Sequence, residues 1–245
     1  MKECMERWYL FTGQRCSIRK YQSSPSSRDI FELLRIAEQL STDEFRIVIK
    51  KNKSVFVPIF LNYGKVSGTG LYAAFVAKKC TPDYIIGYLG EAFVLECCAM
   101  GFGTCWLGGS FKKGLVQSEI ELHYDEYISC ITPIGIPNER YIGRPRKSLD
   151  KLTGLTQDQL QSLPEWQVFA LDCARLAPSA LNCQPWRFMI DGDNITVECI
   201  SNNYGFGKLD CGIAMLHIEL GAAHGGVFGE WTVSDDAQTA VFMPK

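Results

Sequence analysis

The sequence predicts an α+β protein made of two halves of similar plan. Helical and strand-like patterns are mixed along the chain without strict alternation, which argues against a doubly wound parallel sheet. No G-x-G-x-x-G follows a predicted strand, so a Rossmann nucleotide site is unsupported. A segment near residue 90 also recurs near residue 215, and 245 residues with 47% hydrophobic content can bury a substantial core.

The first half is expected to contain three helices and five strands. Helical apolar spacing, a start signal at residues 25–27 and the glycines after residue 100 set the helix limits. Residues 62–70 hold three glycines and form either a plain loop or a lid. The helices are predicted at residues 2–11, 28–40 and 81–100, and the strands at 45–49, 55–57, 71–79, 104–107 and 128–136.

The second half begins after a loop predicted at residues 138–156, which carries a basic run at 144–147. Helical spacing covers residues 157–177, with a break at Pro164 because proline cannot continue a helix. A further helix is expected at residues 210–224. Strands are predicted at residues 186–190, 195–200, 228–233 and 238–243.

An internal repeat links the two halves. An ungapped shift of 125 residues places residues 87–106 over 212–231, with identical glycine, leucine and tryptophan positions and the plan helix, glycine stop, strand. We therefore predict halves at residues 1–149 and 150–245. The alternative is chance similarity between two apolar helices that both end at glycine.

Composition excludes several classes of function. The net charge of −2 and the lack of a basic stripe argue against nucleic-acid binding. Glu91 and Glu96 interrupt the most apolar stretch, which therefore reads as a core helix and not as a membrane span. Eleven cysteines without a C-x-x-C motif predict reduced, mostly buried thiols in a cytoplasmic protein, with no metal site.

Residues 177–188, APSALNCQPWRF, form a candidate binding segment. Pro178 should end the preceding helix, which leaves Ser179 and Asn182 in a turn. Pro185 should hold Gln184 in the extended region. Such polar groups beside an aromatic residue suit a flat heterocycle with polar edges, although an ordinary helix-to-strand loop explains the residues equally well.

A second candidate is the extended segment that contains Arg15, Ser17 and Arg19. Residues two apart in an extended chain share one face, so two guanidinium groups and a hydroxyl would point the same way. A phosphate group favours that arrangement. Taken alone, however, the pattern also fits a solvated strand face.

Together these segments resemble the FMN-dependent nitroreductase family. Residues 15–21, 101–109, 133–137 with 144–147, and 177–188 carry the resemblance. In ordinary members the A-P-S segment follows the R-x-S-x-R segment within a few dozen residues, whereas here it comes about 160 residues after it. At its usual place stands the segment 37–45, which lacks the motif. The chain is thus similar to the fused, single-chain "TM nitroreductase" type, a pseudo-dimer in which each half carries an antiparallel-type sheet flanked by helices.

The resemblance implies one composite FMN site and flavin-based chemistry without a catalytic side chain. NAD(P)H would donate hydride, and a small acceptor such as a nitroaromatic or quinone would be reduced. The implied cofactor-binding residues of the first half are Arg15, Cys16, Ser17, Arg19, Leu107, Gly108, Gly109, Arg144 and Arg146. Those of the second half are Pro178, Ser179, Ala180, Asn182 and Gln184.

Three further implications or alternatives follow. A fused pseudo-dimer is expected to be a monomer that needs neither a membrane nor nucleic acid. Ordinary members have an acidic residue where this chain has Leu107, which leaves the acceptor undefined. The alternative functions are a flavin carrier or sensor without turnover, and a flavin-free enzyme that uses Cys97 and Cys98.

Overall fold

The computed structural model describes residues 2–58, 64–138 and 143–245. Its helices are α1 (Lys2–Thr12), α2 (Ser27–Leu40), α3 (Asp83–Ala99), α4 (Lys113–Glu119), α5 (Leu149–Thr153), α6 (Gln157–Gln161), α7 (Glu165–Leu176) and α8 (Gly207–His224). Its strands are β1 (Tyr21–Ser23), β2 (Phe45–Lys51), β3 (Leu71–Lys78), β4 (Gly103–Thr104), β5 (Glu126–Pro137), β6 (Trp186–Asp191), β7 (Asn194–Cys199), β8 (Gly229–Val233) and β9 (Thr239–Pro244). Helices and two antiparallel sheets confirm the predicted α+β class.

The chain divides into two compact units that interleave in sequence. The terminal unit comprises Met1–Gln14, Pro82–Glu91 and Arg144–Lys245. The central unit comprises Arg15–Thr81 and Ala92–Gly143. The predicted halves, 1–149 and 150–245, concern the sequence repeat, and that division stays a prediction.

The central unit is built on a sheet of strand order β1-β5-β3-β2, with β4 paired to β5. Strand β3 lies between β5 and β2, and residues 71–77 are all buried. A short, continuously apolar run is typical of such an inner strand. The register pairs Phe45 with Ala77 and Lys51 with Leu71, so β2 and β3 match along their length.

Helix α2 of the central unit begins at a capping box. The hydroxyl of Ser26 accepts a hydrogen bond from the Asp29 amide, and the Asp29 carboxylate accepts one from the Ser26 amide. Such a cap stabilises a helix by about 1 kcal/mol. The helix buries Leu33, Ile36 and Ala37, as its apolar spacing predicts.

The terminal unit carries the second sheet, in the order β6-β7-β9-β8. In β6, Trp186 and Phe188 are buried, whereas Arg187 and Met189 are exposed, so one face covers the core and the other faces solvent. Helix α8 is buried along most of its length, from Gly207 to Ala222. A helix that is apolar on nearly every side forms the centre of its unit.

Helices α3 and α8 end in the same way. Gly101 and Gly226 both adopt left-handed backbone angles, with φ of +84° and +81°. In α3 the amide of Phe102 donates to the Cys97 carbonyl at 2.9 Å, and in α8 the amide of Val227 donates to the Ala222 carbonyl at 2.9 Å. Both endings are Schellman caps, and the predicted glycine stops are confirmed.

The two helices also approach each other reciprocally within the terminal unit. A Cβ atom on Gly87 would lie 2.0 Å from the Leu209 carbonyl oxygen, and one on Gly212 would lie 2.0 Å from the Tyr84 carbonyl oxygen. The shift that matches the two glycines also matches Tyr84 with Leu209. Each contact therefore repeats the other, as in a two-fold symmetric pair.

Several predicted elements need correction. Residues 55–57 do not form a strand: Lys53–Val55 is a 3-10 turn, because the Asn52 side chain accepts from the Ser54 amide and closes it. The predicted loop 138–156 contains α5, which Gly154 ends in a left-handed conformation. The break at Pro164 is confirmed, since α6 and α7 lie on either side of it.

Along the described ranges, no helix combines the length and the apolar character that crossing a membrane requires. Glu91 and Glu96 are 0% and 7% exposed, which confirms that α3 is a core helix. The predicted lid or loop at 62–70 begins outside the described residues. From Gly64 onward it is mainly irregular, and Gly68, at φ +86°, packs against the Tyr21 carbonyl.

Candidate functional site

The loop between α7 and β6, residues 177–185, contains the A-P-S motif and has a strained backbone. Helix α7 ends at Leu176, directly before Ala177 and Pro178, as predicted. Leu181, Asn182 and Gln184 then adopt φ angles of +53°, +61° and +51°. Left-handed residues other than glycine cost about 1–3 kcal/mol each and concentrate at ligand sites.

The left-handed Gln184 corrects the prediction that Pro185 holds it extended. Four hydrogen bonds override the local preference. The Gln184 amide donates to the Ser179 hydroxyl at 2.8 Å, and its side-chain amide donates to the Asn182 carbonyl at 3.1 Å. Lys147 donates to Gln184 twice, from its backbone amide at 2.8 Å and from its ammonium group at 3.0 Å.

The basic run at 144–147 contacts this loop inside the terminal unit. One terminal nitrogen of Arg146 donates to the Asn182 side-chain oxygen, and the other donates to the Leu176 carbonyl at 3.1 Å. The Asn182 side-chain amide donates to the Pro145 carbonyl at 3.0 Å. Arg146 and Asn182, which were predicted to belong to different halves of the chain, are therefore in direct contact.

Asp210 joins this loop to a second strained turn in the same unit. Its carboxylate accepts from the Ala180 amide at 3.1 and 3.2 Å and from the Asn203 side-chain amide at 2.6 Å. The Asn203 side chain also donates to the Ala180 carbonyl at 3.1 Å. Asn203 and Tyr204 have φ angles of +42° and +57°. One buried carboxylate therefore holds both turns in place.

Burial raises the pKa of Asp210 to about 7, and the hydrogen bonds from Asn203 and Ala180 only partly offset the effect. Near neutral pH the carboxyl is therefore divided between its protonated and ionised forms. Sequence reasoning missed Asp210 and Asn203, because an aspartate in the first turn of a helix is ordinarily exposed. The turn-forming run at 202–205 was the one local signal.

In the central unit, the segment that contains Arg15, Ser17 and Arg19 is extended, as predicted. Ser17 forms a parallel bridge with Thr104, and the Ile18 amide donates to the Thr104 carbonyl at 2.8 Å. Ile18 is buried in the core, which turns Ser17 and Arg19 toward the opposite face. Arg15 is 7% exposed, and Cys16 packs partly against the core.

The glycine turn of the central unit follows the buried Leu107, which is anchored by paired backbone hydrogen bonds to Ile131 of 2.9 and 3.0 Å. Gly108 is half-buried and Gly109 is exposed. A Cβ atom on Gly109 would meet no described heavy atom within 4 Å. The turn thus leaves open space in which a ligand could approach the backbone.

His217, at the centre of α8, lies in a buried cluster of protein groups. Both His217 ring nitrogens face acceptors: Nδ1 lies 3.0 Å from the Cys173 carbonyl oxygen and Nε2 lies 3.2 Å from Glu91 Oε1. Burial lowers the pKa of His217, but the interactions with Cys173 and Glu91 outweigh it and raise the pKa to about 9. His217 and Glu91 are fully buried, so this cluster offers no opening to a substrate.

The family model described as "Putative TM nitroreductase" matches residues 10–222. A Thermotoga maritima protein, described as a putative nitroreductase, has a similar fold, with a TM-score of 0.68 at 22% identity, covering 96% of this chain and 92% of that one. A nitroreductase family protein from Streptococcus pneumoniae gives a TM-score of 0.48 at 13% identity, covering 59% of this chain and 98% of that one.

No curated protein matches the chain by sequence. The family model nevertheless spans most of the chain, including both motif segments. The chain therefore belongs to the TM nitroreductase family, which confirms the resemblance carried by its motifs.

Proposed function

We propose that the protein is an FMN-dependent oxidoreductase that passes electrons from NAD(P)H to small acceptors such as nitroaromatics or quinones. Membership of a nitroreductase family supports an oxidoreductase role in general. The observation that carries the finer proposal is the α7–β6 loop. Its left-handed residues, Leu181, Asn182 and Gln184, are fixed by Arg146, Lys147 and Asp210, and such over-determined strain indicates a ligand site.

The residues of each unit fit FMN chemically. Arg15, Ser17 and Arg19 of the central unit, and Arg144 and Arg146 of the terminal unit, supply cations and a hydroxyl suited to a phosphate dianion. The Gly108–Gly109 turn and the loop residues Pro178, Ser179, Ala180, Asn182 and Gln184 supply backbone access and polar groups suited to the ring and its side chain. We propose that each set binds FMN.

FMN, when bound, would supply the redox chemistry of the hydride donor and the acceptor. The protein's own groups would hold and orient it. The Asp210 contacts keep Ala180 in position, and Arg146 fixes the Asn182 side chain. A guanidinium group at Arg19, if it lies near the pyrimidine edge, would favour the anionic reduced cofactor.

Purified protein tests this proposal directly. It should be yellow, or become so on addition of FMN, and NAD(P)H should bleach the colour until a nitroaromatic restores it. Yellow protein that NAD(P)H does not bleach would identify a carrier or sensor instead. A colourless preparation that takes up no FMN would contradict flavin binding altogether.

The contribution of each set to FMN binding has a separate test. Asn182→Ala and Arg15→Ala should each weaken FMN binding by about tenfold or more, because each removes a charge-assisted or positioned contact. Arg28→Ala, which changes an exposed arginine on α2, is the matched control. Unchanged FMN affinity in either Asn182→Ala or Arg15→Ala would exclude that set from the site.

We also propose that the chain is a fused pseudo-dimer that acts as a monomer in the cytoplasm. The reciprocal contacts of Gly87 and Gly212, together with the matching Schellman caps, support the duplication. Eleven cysteines in the thiol form fit a reducing compartment. Light scattering at a mass near 27.5 kDa is expected, and twice that mass would contradict the monomer.

A further inference from the structure

Two segments of the terminal unit carry exposed apolar side chains. Among the residues that the structure describes, ten large apolar or aromatic side chains are exposed, and three of these lie on the α7–β6 loop and on residues 200–206. They are Leu181, Ile200 and Tyr204, and Tyr204 is 79% exposed. Single exposed apolar residues are ordinary, whereas several on neighbouring segments indicate a binding surface.

Hydrogen bonds hold the two segments together. The Asn203 side chain donates to the Ala180 carbonyl at 3.1 Å, and these two residues directly precede Tyr204 and Leu181. The Ile200 amide donates to the carbonyl of the proline that ends the loop, at 2.9 Å. The three exposed positions therefore lie in one region of the terminal unit, and we call Leu181, Ile200 and Tyr204 the apolar patch.

Backbone strain sets the apolar patch apart from other exposed apolar side chains. Leu181 and Tyr204 have φ angles of +53° and +57°. Phe31 and Tyr124 are also highly exposed, but their φ angles are not positive. A left-handed backbone costs free energy, and such strain concentrates where a ligand binds. Because folding gives no reason to hold an exposed leucine and an exposed tyrosine in this conformation, the strain points to a ligand.

The chemistry of the apolar patch suits an uncharged ring. Residues 177–185 and 199–207 contain no aspartate, glutamate, lysine, arginine or histidine. Of the charged groups that contact them, the Asp210 carboxylate is buried, and the Lys147 ammonium group donates to the Gln184 carbonyl at 3.0 Å. Leucine and isoleucine pack against any apolar surface, whereas a tyrosine ring favours stacked or edge-to-face contact with another aromatic ring.

We propose that the apolar patch binds the ring of the electron acceptor, and that Tyr204 selects aromatic acceptors over aliphatic ones. The identity of this ligand rests on the proposed function, because the patch includes part of the loop assigned to FMN. Leu181 and Ile200 supply apolar contact area, and the Tyr204 ring supplies the contact that only an aromatic ligand can match.

The test compares nitrobenzene with nitrocyclohexane, which carry the same nitro group on a flat aromatic ring and on a puckered saturated ring. Ligand-observed NMR titration of the full-length protein gives both dissociation constants without turnover. We expect Tyr204→Ser to weaken nitrobenzene binding by up to about tenfold and to change nitrocyclohexane binding much less. Tyr204→Phe keeps the ring and should retain the affinity. Unchanged nitrobenzene affinity in Tyr204→Ser, or an equal loss for both ligands, would overturn the proposal.

A matched control and a second titration separate this inference from the proposed function. Tyr124→Ser, which changes an exposed tyrosine of the central unit, should leave both dissociation constants unchanged. Protein that binds nitrobenzene through Tyr204 but takes up no FMN would contradict the proposed function and support the patch. If Tyr204→Ser weakens binding of FMN and not of nitrobenzene, the patch belongs to the cofactor and the proposal is wrong.

The exposed cysteines allow a second measurement, and the cysteines as a group depart from the prediction that most are buried. Five are buried, while Cys16, Cys98 and Cys199 are half-buried and Cys4, Cys80 and Cys183 are exposed. Cys97 is fully buried, and burial raises its pKa well above the ordinary value, which argues against the flavin-free enzyme based on Cys97 and Cys98. Of the exposed thiols, Cys183 lies on the α7–β6 loop.

Alkylation of Cys183 therefore reports where the ligand binds. Cys183 follows Leu181 by two residues, so nitrobenzene on the apolar patch should slow the reaction of this thiol with iodoacetamide severalfold. Cys80, an exposed cysteine of the central unit, should react at an unchanged rate. Peptide mass spectrometry measures both rates in one sample. Slowing of both thiols, or of neither, would place the ligand elsewhere and overturn the proposal.

Discussion

Helices α2 and α7 end alike, but the loops that follow them differ. Arg35 pairs with Glu32 at 2.6 Å, and Arg175 pairs with Asp172 at 3.2 Å, three residues back in each case. After α2, four residues lead to β2, and the Thr42 hydroxyl accepts local hydrogen bonds from the Glu44 and Phe45 amides. Two distant donors, the Lys78 amide at 2.9 Å and the Thr81 hydroxyl at 2.8 Å, reach the Glu44 carbonyl. After α7, nine residues lead to β6.

The two loops differ in backbone strain, and joining a helix to a strand does not require that strain. Residues 41–44 all keep ordinary negative φ angles, whereas three residues of the α7–β6 loop are left-handed. A helix and a strand can thus be joined in this fold with four unstrained residues. The longer loop needs long-range contacts from Arg146, Lys147 and Asp210 to keep its shape, and connection alone gives no reason for them.

The largest expected effect concerns pH. Because the pKa of Asp210 is raised to about 7, the protonated carboxyl stabilises the fold fully below pH 4, and this contribution is lost as pH rises through 7. The free energy of unfolding, measured relative to Asp210→Asn, should therefore fall by about 3.5 kcal/mol between pH 4 and pH 7. Asp43→Asn, in the short loop, is the baseline for loss of an exposed carboxylate. If the difference in unfolding free energy between the unaltered protein and Asp210→Asn does not change with pH, burial does not raise the pKa of Asp210.

Next in size is removal of the Asp210 side chain. Asp210→Ala leaves the Ala180 amide and the Asn203 side chain without their buried acceptor, which should cost about 3 kcal/mol at pH 6 and loosen FMN binding. Asp43→Ala should change stability by less than about 0.5 kcal/mol. Urea unfolding checks both variants, and equal midpoints would mean that Asp210 does not hold the loop.

A smaller effect is expected for Arg146→Lys. An ammonium group cannot reproduce the fork that reaches both Asn182 and the Leu176 carbonyl, so stability should fall by about 1 kcal/mol and FMN affinity by about tenfold. Arg35→Lys changes an exposed arginine near the end of α2, and it should have no measurable effect on stability or on FMN affinity. Isothermal titration measures the FMN affinity of both variants. An equal loss of affinity in Arg146→Lys and Arg35→Lys would contradict a specific role for Arg146.

The smallest effect is expected from glycine substitutions that compare the backbone of the α7–β6 loop with the backbone at the end of α2. Leu181→Gly relieves a left-handed leucine and should raise the free energy of unfolding by up to about 1 kcal/mol. The same change at Leu40, the last residue of α2, should lower it by about 1 kcal/mol, because glycine weakens a helix. Loss of stability in both variants would show that Leu181 is not strained.

Much of the architecture was predictable because its signals are local. The Schellman caps at Gly101 and Gly226 follow from glycine's freedom at positive φ, and the break before α7 follows from Pro164. The short α5 and the 3-10 turn at Lys53–Val55 were not predicted. Both are held by a few turn contacts, which periodicity does not register.

The candidate site was predictable only as residue types. The motifs named Asn182 and Gln184, but local sterics gave the wrong backbone for Gln184, since four hydrogen bonds outweigh the preference imposed by Pro185. Asp210 could not be found at all. Its importance comes from burial against Ala180 and Asn203, which lie thirty and seven residues away.

The family and the α+β class could be recognised from the sequence alone, because motif residues, glycine stops and apolar spacing are local features of the chain. Which loop is strained and which carboxyl is buried became apparent only in the folded structure. Those properties depend on burial and on contacts between distant residues. The physical reason is that the cost of a strained or desolvated group is fixed by what surrounds it, and the surroundings exist only after the chain has folded.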